Sequence, residues 1–524
     1  MTITPPLTVG QALVAGLKAR GVNVVFGIPG VHTVELYRGL AGSGVRHVTM
    51  RHEQGAAFAA DGHARATGRP GVAFVITGPG LTNALTAMGQ AKADSVPMLV
   101  ISGVNRRASL GLGLGLLHEL PDQAAMVAPL CPTFQINQPS DLGPVLDAAW
   151  AAMLGARPGP AHIEVPTDVM ALPCAAPAAP TPIPPPAPDS AALALARQRL
   201  ATARRPVILA GGGAVRAEAA LMALAQGLDA PVILTTNARG LMAGHPLCVP
   251  ASASLNAVRD LIAAADQVLA LGTELGPTDY DMYVRGGLPD LSAMIRVDIC
   301  AAQLARHPAA ITIQGDVAAV MPLLTTALPP SDGATRAAAT RMAAMAELSP
   351  EYRAHVALLQ VMSHAMPDAL IVGDSTQLVY AGNLYHDAAF PGAWFNAASG
   401  FGALGYAPGA AIGAAVASGK RVICIIGDGG LQFSPGELRG SVDENLPITW
   451  IIWNNAGYGE IALAMRDVQA QVIGCHPSPL KMRPFAEACD LPFVSITPDV
   501  SALRAALLAP TNGPRMIEIV GPPM

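Results

Sequence analysis

Charge is scarce in this 524-residue chain: only 13% of residues are Asp, Glu, Lys or Arg, and 32 basic against 37 acidic groups leave a net charge of −5. A nucleic-acid binder neutralises phosphates with a basic surface, and the composition supplies none. Lysine is almost missing, since all but 4 of the basic residues are Arg; with abundant Ala, this skew reflects nucleotide bias rather than function. Long apolar runs are missing too. Mean hydropathy is +0.40, yet AFVI, MLVI, VICII and ITWIIW all run out within two residues at Gly or Asn, far short of the roughly 18–20 apolar residues of a spanning helix. The opening MTITPPLTVG lacks the basic region and apolar core of a signal peptide. The seven cysteines form no CxxC pair and no metal-ligand spacing, a pattern of reduced thiols in a cytoplasm. The 53 Gly and 47 Pro follow no G-X-Y period, which excludes collagen. What remains is a large soluble cytoplasmic α/β protein with neither a nucleic-acid nor a membrane partner. At roughly 100–200 residues per domain, its length implies three or four domains.

Proline marks the clearest boundary. Eight of the twenty residues in ALPCAAPAAPTPIPPPAPDS (171–190) are Pro, the composition of an extended, semi-rigid linker. A second break falls at 328–333, LPPSDG, before an Ala-rich helical stretch that runs to about 350. The blocks are therefore 1–170, 191–327 and 345–524, with 171–190 as linker. NVVFG, HVTM, GVAFVITG and PMLVISG read as buried strands in the first block. RPVILAGGG, APVILTT, QVLALGT and AMIRVDI do so in the second, and ALIVGD, RVICIIGDGG, ITWIIWNN and RMIEIV in the third. Helix-length segments such as VGQALVAGLKARG and EQGAAFAADGHARATG alternate with them. Continuous apolar strands between helices imply parallel sheets covered on both faces. The fold class is α/β, with three doubly wound parallel-sheet domains. Ligands of such sheets collect at the carboxyl ends of the strands.

At those ends the third block carries its strongest signal. RVICII runs into Gly427-Asp428-Gly429-Gly430, and ITWIIW runs into Asn454-Asn455. In a right-handed strand–helix–strand unit, Asp428 and Asn455 emerge at the same sheet edge. A carboxylate, an amide oxygen and a loop carbonyl make a hard oxygen site suited to Mg²⁺ with a phosphate, and glycines let backbone N–H groups approach that phosphate. Spacing alone leaves this reading level with the plainer one of two ordinary strand-end turns. Glu53, after the strand RHVTM, opens an Ala- and Gly-rich helix; on the residues alone it is a first-turn acid favoured by the helix dipole by roughly 0.3–1 kcal/mol.

GDG followed by about thirty residues ending in NN resembles the signature of thiamine-diphosphate-dependent enzymes. FGIPG (26–30), RHEQGAAFAADGHAR (51–65), TGPGLTN (77–83) and GALGYAPGAAIGA (402–414) look like further motifs of that family, in family order. The resemblance covers the whole chain and is closest to the acetolactate synthase, pyruvate oxidase and 2-oxo-acid decarboxylase branch. It implies an N-terminal pyrimidine-binding domain containing Gly30, a central Rossmann-like domain and a C-terminal diphosphate-binding domain. By the same resemblance Asp428, Asn455 and the carbonyl of Gly457 hold the metal. Gly427, Gly429, Gly430, Ser375, Thr376, Gln377 and Tyr458 lie along the cofactor, and Leu404 props its bent shape. Glu53 becomes the carboxyl group that shares a proton with the aminopyrimidine ring, so the ring can take the proton from the reactive thiazolium carbon. No Ser or Cys nucleophile is then needed from the protein.

For the substrate, ITGPGLTN lacks the His-His pair of pyruvate-type decarboxylases and resembles the synthases and oxidases. His118 stands where synthases typically carry Gln, and His32 is a second candidate, although a loop His is more often a surface residue. Glu460, beyond the metal loop, suits a cationic tail on the 2-oxo acid through a charge-assisted hydrogen bond. FGIPGVHTVELYRGL, LHELP, GDSTQLVYAGN, GTELGPTDYD and YGEI together resemble the 5-guanidino-2-oxopentanoate decarboxylases. The leading reading is decarboxylation of a 2-oxo acid to an aldehyde. Its rivals are an acetolactate-synthase-like carboligase, a flavin oxidoreductase resembling pyruvate oxidase, and a silent scaffold, against which retention of Glu53, Asp428 and Asn455 speaks. Gly211-Gly212-Gly213 lacks the full G-x-G-x-x-G, and GTELGPTDYD departs from FAD-binding synthases, so FAD is not expected. The family sets its cofactor between subunits, which implies at least a homodimer, with a homotetramer as the fuller expectation.

Overall fold

A computed structural model describes residues 6–178, 180–280, 287, 289–329 and 331–522. The first five residues of the leader reading, Ala179 of the proline-rich stretch, Asp281 of GTELGPTDYD and Pro330 of the second break lie outside the described residues.

Every strand-like run named above forms a strand, and the strands assemble into three six-stranded sheets, each parallel throughout. In the first sheet the order is Arg46–Thr49, Val24–Gly27, Gly71–Val75, Met98–Val104, Pro160–Pro166, Thr133–Gln135. The third runs Trp394–Asn396, Leu370–Gly373, Val422–Gly427, Ile448–Asn454, Arg515–Val520, Phe493–Ile496. The middle sheet centres on Pro206–Ala210 and Gln267–Leu271. Buried apolar side chains on both faces of these strands explain why they read as continuous runs.

The first and third sheets share one core. Its seam is the helix pair Glu53–Thr67 and Tyr406–Ser418, which meets at backbone distance. A Cβ on Gly62 would lie 2.0 Å from the Ala410 carbonyl oxygen, and one on Gly413 would lie 1.8 Å from that of Ala59. Small residues are therefore a packing requirement in both motifs, because any side chain there collides with main chain. Beside the seam Arg65 bridges Asp61 at 2.7 Å and Asp94 at 2.6 Å, while the Tyr406 hydroxyl donates to Asp61 at 2.6 Å.

The proline-rich stretch begins as part of the first block: Pro173–Cys174 pairs antiparallel with Leu7–Thr8. The described residues of 175–189 then carry no helix or strand. The Ala-rich stretch forms the helix Gly333–Glu347, and a second helix, Pro350–Ala365, follows at once. Ala337 and Ala344 are buried with Val258 and Leu261 of the middle block. Among the described residues no helix is long and apolar enough to cross a membrane.

Candidate active site

The third sheet builds the oxygen-rich half of the site. Its strands Val422–Gly427 and Ile448–Asn454 pair with Gly427 opposite Trp453, so Asp428 and Asn455 leave neighbouring strands at one edge. Both are buried, and the Asn455 N–H donates to Asp428 Oδ1 at 3.4 Å. The Asn455 amide nitrogen donates to Gln377 Oε1 at 3.3 Å. Its amide oxygen then faces the Gly457 carbonyl at 2.9 Å and Asp428 Oδ1 at 3.2 Å. Rotating the amide would place a donor between those two acceptors; in the unrotated form three oxygens converge with no proton between them, an arrangement a cation resolves. Burial pushes the Asp428 carboxyl up, and a cation would offset the cost of its buried charge. Among the described residues no group of three His, Cys, Asp or Glu could hold a metal. A donor set of one carboxylate, one amide and one carbonyl would suit a hard cation such as Mg²⁺.

Three segments close on the glycine loop beside this site. A Cβ on Gly429 would stand 2.6 Å from the Tyr458 ring, one on Gly430 3.2 Å from Asp374 Oδ1, and one on Gly427 3.2 Å from Thr376 Oγ1. Ser375 and Thr376 lead into the helix Gln377–Leu384, which turns N–H groups toward the same edge. Asp374, which the motif reading passed over, is fully buried. It accepts from Ser375 N at 2.9 Å, Gly405 N at 3.3 Å and Ala407 N at 3.0 Å, and burial pushes its carboxyl up to about 6. It thereby ties the GALGY turn to the strand end. Leu404 is half-buried between Gly402 and Gly405, both left-handed at φ 77°, so it stands apart from the ordinary core leucines.

Gln377 extends the network, since it also accepts from Trp453 Nε1 at 2.9 Å and donates to Glu460. Glu460 sits in the first turn of the helix Gly459–Asp467 and is half-buried. Burial, followed by the nearby Glu351 carboxylate, raises its carboxyl, and the Gln377 hydrogen bond opposes that rise.

The first sheet presents the other half. Glu53 opens the helix Glu53–Thr67, and Asn83, within TGPGLTN, donates to its carboxylate at 2.9 Å. Just upstream, the N–H groups of Arg51 and His52 donate to buried Glu437 at 3.2 and 3.1 Å; burial pushes this carboxyl up to about 7. Gly30 forms a turn closed by Thr33 Oγ1, which accepts from Gly30 N at 3.1 Å. A Cβ on Gly30 would meet Ile76 Cδ1 at 2.4 Å. His118 is half-buried, with its ring edge-to-face against His32. Gly30, Glu53 and His118 thus follow strands of the first sheet, and Ser375, Asp428, Asn455 and Glu460 follow strands of the third. Asn83, Glu437 and Asp374 were missed by sequence reasoning; only the terminal Asn of TGPGLTN and the acid closing ALIVGD offered a signal.

In the middle block Gly211–Gly213 packs tightly, with a Gly213 Cβ only 2.9 Å from Gly272 Cα. A cavity of about 420 Å³ beside it is lined by Gly212, Thr273, Asp298, Asp316 and Arg216, among others.

A cofactor cradle split between the ends of two parallel sheets defines a class, and comparison with known proteins gives it the same identity. Three thiamine pyrophosphate enzyme family models match in order: the N-terminal binding domain over residues 7–126, the central domain over 193–324 and the C-terminal binding domain over 374–519. The chain belongs to the thiamine pyrophosphate enzyme family. It is 43% identical to a probable 2-ketoarginine decarboxylase of Pseudomonas aeruginosa, across 90% of this chain and 86% of that one. It is 31% identical to an acetolactate synthase large subunit of Mycobacterium tuberculosis, across 87% and 77%. A solved structure described as a thiamin diphosphate-dependent enzyme from Mycobacterium smegmatis superposes with a TM-score of 0.82 at 23% identity, covering 99% of this chain and 100% of that one; that likeness speaks for the fold.

Proposed function

We propose that the protein is a thiamine-diphosphate- and Mg²⁺-dependent decarboxylase whose substrate is 5-guanidino-2-oxopentanoate, the compound also called 2-ketoarginine. The observation that carries the substrate is the hydrogen-bonded line from Asn455 through Gln377 to Glu460. It links the Glu460 carboxylate to Asn455 through one side chain, and a guanidinium tail would find in that carboxylate a planar, charged partner. The similarity to the Pseudomonas enzyme supports the same choice.

When bound, thiamine diphosphate supplies the carbon nucleophile and the electron sink for loss of CO₂. The residues of the chain do the rest. Asp428, Asn455 and the Gly457 carbonyl would hold Mg²⁺, and Gly427, Gly429, Gly430, Ser375 and Thr376 would flank the diphosphate. Tyr458 and Leu404 form the walls that orient the rings. Glu53, held by Asn83, would hold the proton shared with the aminopyrimidine, and Glu460 would bind the substrate tail. His118 lines the substrate side. Because the family sets its cofactor between subunits, the reading pairs the first sheet of one copy with the third sheet of another, in at least a homodimer and more fully a homotetramer, in the cytoplasm.

The test is purified protein with Mg²⁺, thiamine diphosphate and a panel of 2-oxo acids, followed by CO₂ release and product mass. The expected products are CO₂ and 4-guanidinobutanal. A 2-hydroxy-2-alkyl-3-oxo acid instead would establish the carboligase. The reading takes no flavin, so a yellow protein would favour the oxidoreductase.

A further inference from the structure

We infer that Gln123 is a positioning residue for Glu53, acting through the turn Thr77-Gly78 and Asn83; this rests on the role proposed for Glu53 above. Gln123 is buried and opens the short helix Gln123–Val127, whose N-cap Asp122 accepts from Ala125 N at 2.8 Å. Its side chain ties together the ends of three neighbouring strands. Oε1 accepts from Thr77 Oγ1 at 2.8 Å and from Gly78 N at 3.1 Å, just beyond the strand Gly71–Val75. Nε2 donates to Ser102 Oγ and the Gly103 carbonyl in Met98–Val104, both at 3.0 Å, and to Glu164 Oε2 in Pro160–Pro166 at 3.1 Å. The Gly78 N–H can only donate and the Gly103 carbonyl can only accept, so the amide has one orientation.

The turn that Gln123 grips has no cap of its own. Gly78 is the N-cap of the helix Pro79–Ala93, at φ 64° and ψ −112°, and no side-chain hydrogen bond caps that helix. Only glycine takes this backbone conformation readily. A capping Ser or Asp is also shut out sterically, because a Cβ at Gly78 would lie 2.6 Å from the His118 carbonyl oxygen. The helix start is therefore fixed from outside, by Gln123. About one turn further on, Asn83 donates to the Glu53 carboxylate at 2.9 Å. One turn of helix is stiff, so a displaced Gly78 carries Asn83, and with it the Glu53 carboxylate, out of place.

Gln123 is itself held from behind. Glu164 Oε1 accepts from Gln135 Nε2 at 2.8 Å, and Ser102 Oγ shares a hydrogen bond with His162 Nε2 at 2.8 Å. Ser102, His162 and Glu164 are all buried. Burial lowers His162 to about 3 and raises the Glu164 carboxyl, against the hydrogen bonds from Gln123 and Gln135. Such a network costs stability unless every member is satisfied, and Gln123 is the member that joins it to the edge of the site. An apolar side chain at 123 leaves the Gly78 N–H and one Glu164 oxygen without partners.

The test begins without cofactor. Amide hydrogen exchange of the full chain, followed by mass spectrometry, should show the peptide spanning 77–83 exchanging faster in Gln123→Leu, with the central domain unchanged; an unchanged peptide overturns the inference. With Mg²⁺ and thiamine diphosphate, exchange of the thiazolium C2 proton should slow by about 10- to 100-fold, the order that a misplacement of about 1 Å costs, while calorimetric cofactor affinity is retained. Gln123→Leu should add nothing to Glu53→Gln, because positioning has no effect once the positioned group is gone. Wild-type C2 exchange in Gln123→Leu, or a further loss on top of Glu53→Gln, overturns the positioning role. Gln123→Glu keeps the test open if the apolar variant does not fold. It retains an acceptor for Thr77 and Gly78 but sets a second carboxyl against Glu164, and two adjacent carboxyls cannot both ionise. Asp122 adds to that repulsion, and His162 stays neutral. C2 exchange in Gln123→Glu, as a ratio to wild type, should therefore recover as the pH is lowered; a ratio independent of pH overturns the inference. Wild-type C2 exchange in Glu53→Gln is the separate outcome that overturns the role of Glu53 itself, and the inference with it.

Discussion

The two halves of the site are built in opposite ways. At the edge of the third sheet stand three glycines, one carbonyl and the buried pair Asp428 and Asn455, with side-chain atoms of Tyr458, Thr376 and Asp374 within 2.6–3.2 Å of where a Cβ would sit. At the edge of the first sheet individual side chains act, presented by turns and loops: Glu53 held by Asn83, and His118 held by its own loop. A diphosphate with its metal is the same whatever the substrate, so a site for it asks for oxygen donors and room rather than for a substrate-specific side chain. Proton exchange depends on particular side chains and their partners. Glu460, proposed above to read the substrate, is the informative exception, a single side chain partnered by Gln377 on the third-sheet side.

The sharpest test of that contrast is on the first-sheet side. Glu53→Gln should leave cofactor binding intact and slow exchange of the thiazolium C2 proton by about 10²–10⁴-fold, measured by NMR. Wild-type exchange would remove Glu53 from the chemistry. On the third-sheet side Asp428→Ala should do the reverse, weakening cofactor binding by at least about 100-fold when Mg²⁺ is limiting, with an unchanged circular dichroism spectrum. Undiminished calorimetric affinity there would overturn the metal assignment.

The seam between the halves offers a stability test. Burial raises the Glu437 carboxyl from 4.5 to about 7. A raised folded value means its contribution is complete below the unfolded value and is lost as pH climbs through about 7. At about 1.4 kcal/mol per pH unit, up to about 3 kcal/mol should disappear between pH 4.5 and 8. Urea unfolding of Glu437→Gln should show less of this decline, and an equal decline would place the titration elsewhere. The smallest effect expected is at Glu460. Hydrogen bonds to charged groups contribute roughly 1.5–3 kcal/mol, so Glu460→Gln should lower kcat/KM on the guanidino acid by about 10- to 150-fold. An uncharged straight-chain 2-oxo acid should lose less. Equal losses would make Glu460 a structural residue.

Much of this was legible before any coordinates. Asp428, Asn455 and the glycines beside Asp428 stand out because they punctuate the ends of parallel strands that read as unbroken apolar runs. The strand Pro160–Pro166 escaped notice for the converse reason. Its buried His162 and Glu164 break the apolar pattern, and they are satisfied by Ser102 at 2.8 Å and by Gln123 and Gln135 at 3.1 and 2.8 Å.

The chain by itself determined the three parallel sheets, since continuous apolar strands alternating with helices follow from periodicity acting within a few dozen residues. Tertiary structure alone decided which polar groups meet. Asn83 reaches Glu53 across 30 positions, Asp374 reaches Ala407 across 33, and Glu437 reaches Arg51 across 386. A hydrogen bond depends on distance and direction in space, and neither is encoded in any local pattern; it exists only once the helices and sheets have packed and brought those side chains together.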